Sequence, residues 1–195
     1  IAKYIPGESL IDGKGNVIKL SSNESPFKIP SKVSEISKKL VSQFNLYPDG
    51  DSNILKNSLS RIFKINSHQI ICGNGSDDIL SLVAQAFSDQ NSEIICSQYG
   101  FIYYPIVAKI SGAKVLTAKT NGLNISCKNI LNSITKKTKI IFFANPNNPT
   151  GTVIFKNELI KFISRVPKNI IIVIDGAYSE FVTNQNYSDG LDLVK

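Results

Sequence analysis

Three side chains at the ends of two apolar runs carry the most specific chemistry in this sequence. Residues 145–151 read Asn-Pro-Asn-Asn-Pro-Thr-Gly and follow the run Lys139-Ile-Ile-Phe-Phe-Ala144, while a later run, Asn169-Ile-Ile-Ile-Val-Ile174, ends in Asp175-Gly-Ala-Tyr178. Both runs are short and almost uninterrupted, the pattern of strands buried on both faces of a parallel sheet. Ligands of open α/β sheets bind beyond the carboxyl ends of such strands. Asn148, Asp175 and Tyr178 therefore bring an amide, a carboxylate and a phenol to one rim. Those groups can grip a pyridine ring through its nitrogen and a neighbouring hydroxyl.

A third element, Cys72-Gly-Asn-Gly-Ser-Asp-Asp78, lies between an expected strand and an expected helix. Gly73 and Gly75 permit a tight turn with close backbone approach. The amides of Ser76 and Asp77 then stand at a helix N-terminus, where partial positive charge favours a phosphate. Asp78 occupies the place of the third glycine in a dinucleotide fingerprint, and no Gly-Lys-Ser/Thr follows to make a P-loop. Taken alone, the segment also fits a glycine turn in which Ser76 or Asp77 caps the helix.

The elements that must position these groups alternate. Apolar periodicity predicts helices over 31–43, 52–63, 77–87, 101–111, near 127–134 and over 156–164, with Gly112 closing the fourth. Short strands are expected at 69–72, 93–96, 114–116, 139–144 and 169–174. Strands separated by helices imply an α/β fold, a mostly parallel sheet with helices on both faces. The chain opens at Ile1, contains no methionine, and closes in Gly190-Leu-Asp-Leu-Val-Lys195, an amphipathic pattern resembling the opening of a helix. It reads as a piece of something longer.

Composition narrows the function classes. The formal charge is +7, from 22 basic and 15 acidic residues, but lysines such as Lys38, Lys39, Lys136, Lys137 and Lys161 are scattered over helix faces. Nucleic-acid surfaces concentrate Arg and Lys in a stripe with aromatics between them, so no nucleic-acid partner is expected. A cationic field does suit a phosphorylated substrate. No apolar stretch reaches the roughly 18 to 20 residues of a membrane span, and no signal-peptide pattern opens the chain. The expectation is a cytoplasmic protein with no membrane partner. Cys72, Cys96 and Cys127 are odd in number and lack CxxC spacing, which indicates neither a disulfide framework nor a metal site. They read as small buried hydrophobes.

Taken together, these residues resemble the fold-type I aminotransferases that use pyridoxal 5'-phosphate, and within them the histidinol-phosphate aminotransferases. The resemblance runs in order through Tyr4-Ile-Pro-Gly7, Leu20-Ser-Ser-Asn-Glu-Ser-Pro26, Tyr47-Pro-Asp49, Gly73-Asn-Gly-Ser-Asp77, Gly100-Phe101 with Tyr104, Asn145 to Gly151, and Asp175 to Tyr178. It implies that Asp175 pairs with the cofactor's pyridine nitrogen and that Tyr178 and Asn148 bond its phenolic oxygen. Phe101 would stack on the ring, and Gly75, Ser76 and Asp77 would cradle the phosphate. Tyr47 would reach the phosphate of a neighbouring subunit, implying a homodimer, and Tyr4 and Asn23 would touch substrate. The substrates implied are a small-molecule amino donor and a phosphorylated keto acceptor. The domains implied are an N-terminal arm and small-domain segment over 1–45 and a partial, truncated large domain over 46–195.

Two departures from the family pattern stand out. Gly176 replaces a glutamate found in many relatives. The family's Schiff-base lysine, in a Ser/Thr-x-Ser-Lys segment, and its following arginine do not occur here, so both are expected beyond Lys195 and the 195 residues alone are expected to be inactive. An aromatic-amino-acid or threonine-phosphate-acting relative shares every cofactor residue, and a non-catalytic module of the same fold remains open.

Overall fold

In a computed structural model, Gly15 and residues 17–194 are described; Tyr4 and Lys195 lie outside the described residues. Four strands, β1 (Glu93–Ser97), β2 (Lys114–Ala118), β3 (Thr138–Ala144) and β4 (Ile171–Asp175), form one sheet in the order β2-β1-β3-β4. Every pairing in it is parallel. Among the described residues, six α-helices accompany them: α1 (Ser31–Leu40), α2 (Asn53–Phe63), α3 (Gly75–Phe87), α4 (Tyr103–Ile110), α5 (Cys127–Asn132) and α6 (Lys156–Ile163).

Strand alternation divides the core into two layers. Ile94, Cys96, Ile140, Phe142 and Ala144 point to one face and pack with Leu80 and Ala84 of α3 and Tyr104, Val107 and Ala108 of α4. Ile95, Ile141 and Phe143 point to the other face and meet Cys127 and Ile130 of α5 and Leu159 and Phe162 of α6. β1 and β3 sit centrally, which is why their apolar runs are nearly continuous: every residue of β1 is buried, as is every residue of β3 except Lys139. Helices thus cover both faces of the parallel sheet, as the alternation of apolar periods implies. Cys96 and Cys127 are buried in these layers, whereas Cys72 is half-buried.

Two expectations fail in detail. Residues 69–72 form no strand: Gln69 ends a short 3-10 turn, Ser67–Gln69, and the residues after it lie outside any ladder. Ile71 is 74% exposed. A β-branched run becomes a strand only where a neighbour takes up its backbone groups, and among the described residues none does. At the other end, the amphipathic residues after Gly190 form one 3-10 turn, Leu191–Leu193, rather than an α-helix. Helices α1 and α2 are present as expected, but neither contains a buried residue.

The aromatic pair Phe143 and Phe162 joins β3 to α6, with ring centroids 5.7 Å apart and planes at 82°. Phe143 is fully buried. Phe143→Ala removes the ring and leaves a cavity, and in the full-length protein it is expected to lower unfolding free energy by about 3–5 kcal/mol. Urea denaturation of wild type and variant measures this.

Candidate active site

The site is built where β3 and β4 end together. Ala144 and Asp175 are register partners, and the Asn145 N–H donates to the Asp175 carbonyl at 2.9 Å. Both oxygens of the Asp175 carboxylate are engaged. Oδ1 accepts the Ala177 N–H at 3.1 Å and Oδ2 accepts the Tyr104 phenol at 3.0 Å. Tyr104 is fully buried and stacks on Phe142, with centroids 5.5 Å apart and planes at 12°. Burial first, and the adjacent Asp175 charge second, push the phenol's pKa far up. Tyr104 therefore stays protonated and donates.

The three asparagines of the loop after β3 have different tasks. Asn145 is fully buried; its side chain donates to the Ile154 carbonyl at 3.0 Å and accepts the Ile154 N–H at 2.8 Å. The Asn147 amide donates to the Tyr99 carbonyl and to Thr150 Oγ1, each at 2.8 Å. Both residues fasten the loop, whose Asn145–Pro146 and Asn148–Pro149 peptide bonds are cis. Asn148 is only half-buried, and among the described residues its side-chain amide has no hydrogen-bond partner. It is left free for a ligand.

A cleft of about 440 Å³ gathers six of the expected residues, Asn23, Ser76, Phe101, Asn148, Asp175 and Tyr178, while the expected cradle residues Gly75 and Asp77 do not line it. Phe101 is braced edge-on against Tyr104, with centroids 5.6 Å apart and planes at 86°. At the start of α3, Gly75 takes φ +78°, a conformation open to glycine, and its N–H turns back to the Gly73 carbonyl at 2.9 Å. Asp78 Oδ2 accepts the Asn74 N–H at 3.0 Å. The Ser76 and Asp77 N–H groups find no partner among the described residues, leaving two donors of a helix N-terminus available to an anion.

Asn23, expected on the substrate side, donates to the Tyr178 phenol oxygen at 2.9 Å. That bond leaves the phenol's own proton available to another acceptor. A second cleft of about 640 Å³ shares Asn23, Asn148, Pro149 and Tyr178 with the first. Tyr47 is fully exposed and lines a separate groove with Leu40, Phe44 and Pro48. The role of Tyr104 as the partner of Asp175 was missed by reading the sequence, because a tyrosine inside an apolar helix carries no sign of what its hydroxyl meets. Among the described residues, no cluster of His, Cys, Asp or Glu could hold a metal ion, and no helix is long and apolar enough to cross a membrane.

The model of the family described as aminotransferase class I and II matches residues 15–194. The chain belongs to this family. Among curated relatives, the histidinol-phosphate aminotransferase of Pelagibacter ubique (strain HTCC1062) is 43% identical over 197 residues, covering 100% of this chain and 54% of its own length. That of Paramagnetospirillum magneticum (strain ATCC 700264 / AMB-1) is 37% identical over 195 residues, with coverage of 100% and 54%. The chain spans about half the length of the curated relatives it matches. Among solved structures, the histidinol-phosphate aminotransferase from Sinorhizobium meliloti in complex with pyridoxal-5'-phosphate superposes with a TM-score of 0.82 at 20% identity, over 86% of this chain and 46% of that one. The aspartate aminotransferase from Thermus thermophilus with maleate gives 0.76 at 22% identity, over 86% and 47%. These likenesses place the fold among those of fold-type I aminotransferases.

Beside the cleft, one carboxyl, that of Asp77, departs from its ordinary titration. Burial first, and the like charge of Asp175 second, raise the Asp77 carboxyl above its ordinary pKa. A raised folded-state pKa means that ionised Asp77 opposes folding, and that the cost is relieved as pH falls through the raised value. Asp77→Asn is therefore expected to raise the urea midpoint of the unliganded full-length protein at pH 7. The difference should shrink on acidification and vanish below about pH 3.9, the ordinary aspartate value. Urea midpoints across this range check the sign.

Proposed function

We propose that the full-length protein is a pyridoxal-phosphate-dependent transaminase that converts L-histidinol phosphate and 2-oxoglutarate into imidazole-acetol phosphate and glutamate, in histidine biosynthesis. The observation that carries this reading is the convergence of Ser76, Phe101, Asn148, Asp175 and Tyr178 on one cleft. The names of the curated relatives support the choice of substrates.

The donor set fits the cofactor. Orphan N–H groups at Ser76 and Asp77 match a phosphate, the free Asn148 amide and the Tyr178 hydroxyl match a ring oxygen, and the fixed Asp175 carboxylate matches a protonated ring nitrogen. When bound, pyridoxal phosphate supplies an electron sink for charge developing at the substrate Cα. Asp175 keeps a proton on the ring nitrogen, with Tyr104 and the Ala177 N–H holding the carboxylate in place. Tyr178 and Asn148 orient the ring through its oxygen, and Phe101 covers one face. Among the described residues no lysine lines the cleft. We assign the Schiff-base lysine and the following arginine to a segment beyond Lys195. Residues 1–45 serve as the arm and small-domain segment and 46–195 as part of the large domain. The enzyme acts in the cytoplasm as a homodimer in which Tyr47 reaches the cofactor phosphate of the partner subunit, consistent with its full exposure here.

Two measurements test this reading. In the full-length protein with saturating cofactor, Asp175→Ala should lower transamination of histidinol phosphate by roughly two to four powers of ten, since a ring cation then loses its carboxylate partner. A rate within threefold of wild type would remove Asp175 from this role. Tyr47→Phe keeps the ring and removes one hydroxyl, so cofactor dissociation should rise by roughly threefold to thirtyfold with the fold unchanged. Equal dissociation constants would mean that Tyr47 touches no phosphate.

A further inference from the structure

The residue between Asp175 and Ala177 is a glycine whose backbone does not demand one. Gly176 lies outside the left-handed region, so its φ is open to other residues. A side chain there would crowd Ser179: a Cβ on Gly176 would fall 2.8 Å from Ser179 Oγ, so the hydroxyl would have to move. That hydroxyl is 2.7 Å from the Gly176 carbonyl oxygen and 2.9 Å from the Tyr187 hydroxyl. Tyr187 in turn donates to the Asn145 carbonyl at 2.5 Å.

Three oxygen–oxygen contacts thus share two hydroxyl protons. The Tyr187 proton goes to Asn145, and the Ser179 proton is divided between the Gly176 carbonyl and the Tyr187 oxygen. The chain of contacts runs from the first residue of the loop that carries Asn148 to the turn that carries Tyr178. Gly176, Ser179 and Tyr187 all lie outside the lining of the cleft. They touch the backbone on which the lining residues are mounted, not the ligand space.

We propose that Gly176, Ser179 and Tyr187 form a positioning relay that holds the ring-nitrogen partner, Asp175, at a fixed spacing from the ring-oxygen partners, Asn148 and Tyr178. The proposal rests on the cofactor reading above. Its physical basis is that a pyridine ring is rigid, so groups gripping it at opposite edges must be held to roughly 0.5 Å for both to engage. The Asn145 N–H bond to the Asp175 carbonyl joins the two strand ends at one point. The relay supplies a second point, beyond the strands, and two points fix an orientation where one leaves a pivot. Glycine at 176 leaves room for the relay, because a Cβ there would fall 2.8 Å from Ser179 Oγ and the hydroxyl would have to shift from its place between its two partners.

Binding of pyridoxine 5'-phosphate to the full-length protein isolates this effect, since the compound carries the ring and the phosphate but no aldehyde. Tyr187→Phe and Gly176→Ala should each weaken its binding by about three- to tenfold. Inorganic phosphate, which needs only the start of α3, should bind with unchanged affinity. The double variant should bind the ring probe no more weakly than the weaker single variant, because both changes break the same relay. The pH at which the bound ring's absorption band titrates should also move in both single variants. Ser179→Ala, which removes the shared hydroxyl with little change of volume, provides a third route to the same loss if either of the others fails to fold. Singles that bind the ring probe as wild type does, multiplicative losses in the double variant, or parallel losses of phosphate affinity would each overturn the relay. A wild-type protein that binds no pyridoxine 5'-phosphate would overturn the cofactor reading, and the relay's role with it.

Discussion

A carboxylate at the end of an otherwise apolar strand is the constraint from which the rest of this site follows. Asp175 ends β4 beside Ala144 of β3, where apolar side chains pack below and a cleft opens above. An ionised group there is stable only if its oxygens are satisfied. The Ala177 N–H and the Tyr104 phenol meet that need. The phenol in turn must be buried and protonated, which requires α4 to press against β3 so that Tyr104 stacks on Phe142. One polar group at a strand end thus dictates the packing of a helix on the sheet face below it. The same packing braces Phe101, one turn earlier, at the cleft.

β3 could be read from the sequence because burial on both faces leaves a plain signature, an unbroken apolar run, whereas β4 carries the same signature at the end of the strand order with every residue only half-buried. The segment 69–72 shows the weakness of that signal: Gln-Ile-Ile-Cys has strand-like composition, yet strand formation depends on a neighbour that local sequence does not specify. α1 and α2 show the converse. Their periodicity was sufficient to predict helices, but periodicity says nothing about what covers the apolar face, and Val33, Ile36 and Leu40 remain about half exposed.

Side-chain roles divide in the same way. Asn148 is expected at the rim from its place beyond a strand end, and the structure gives the physical distinction from its two neighbours, since Asn145 and Asn147 spend their amides on loop backbone and on Thr150 while Asn148 does not. Tyr104, Ser179 and Tyr187 act through partners 71, 3 and 42 residues away in sequence. The two long separations are invisible to any local pattern. Gly176 was legible only as a departure, because the reason for a missing side chain lies in the hydroxyl three residues on.

The charge arrangement adds a constraint on what the cleft can hold. The chain carries a net +7, yet the cleft is lined by the Asp175 carboxylate, and burial first, with the charge of Asp175 second, raises the pKa of the nearby Asp77 carboxyl. A ligand that is only anionic would meet repulsion at this floor, and a ligand that is only cationic would leave the orphan N–H groups of Ser76 and Asp77 unanswered. A molecule with a cationic ring edge at Asp175 and an anionic group at the start of α3 meets both demands at once. Opposite charges at two ends would also orient a ring between them, which is what the proposed roles of Asn148 and Tyr178 at one ring oxygen require.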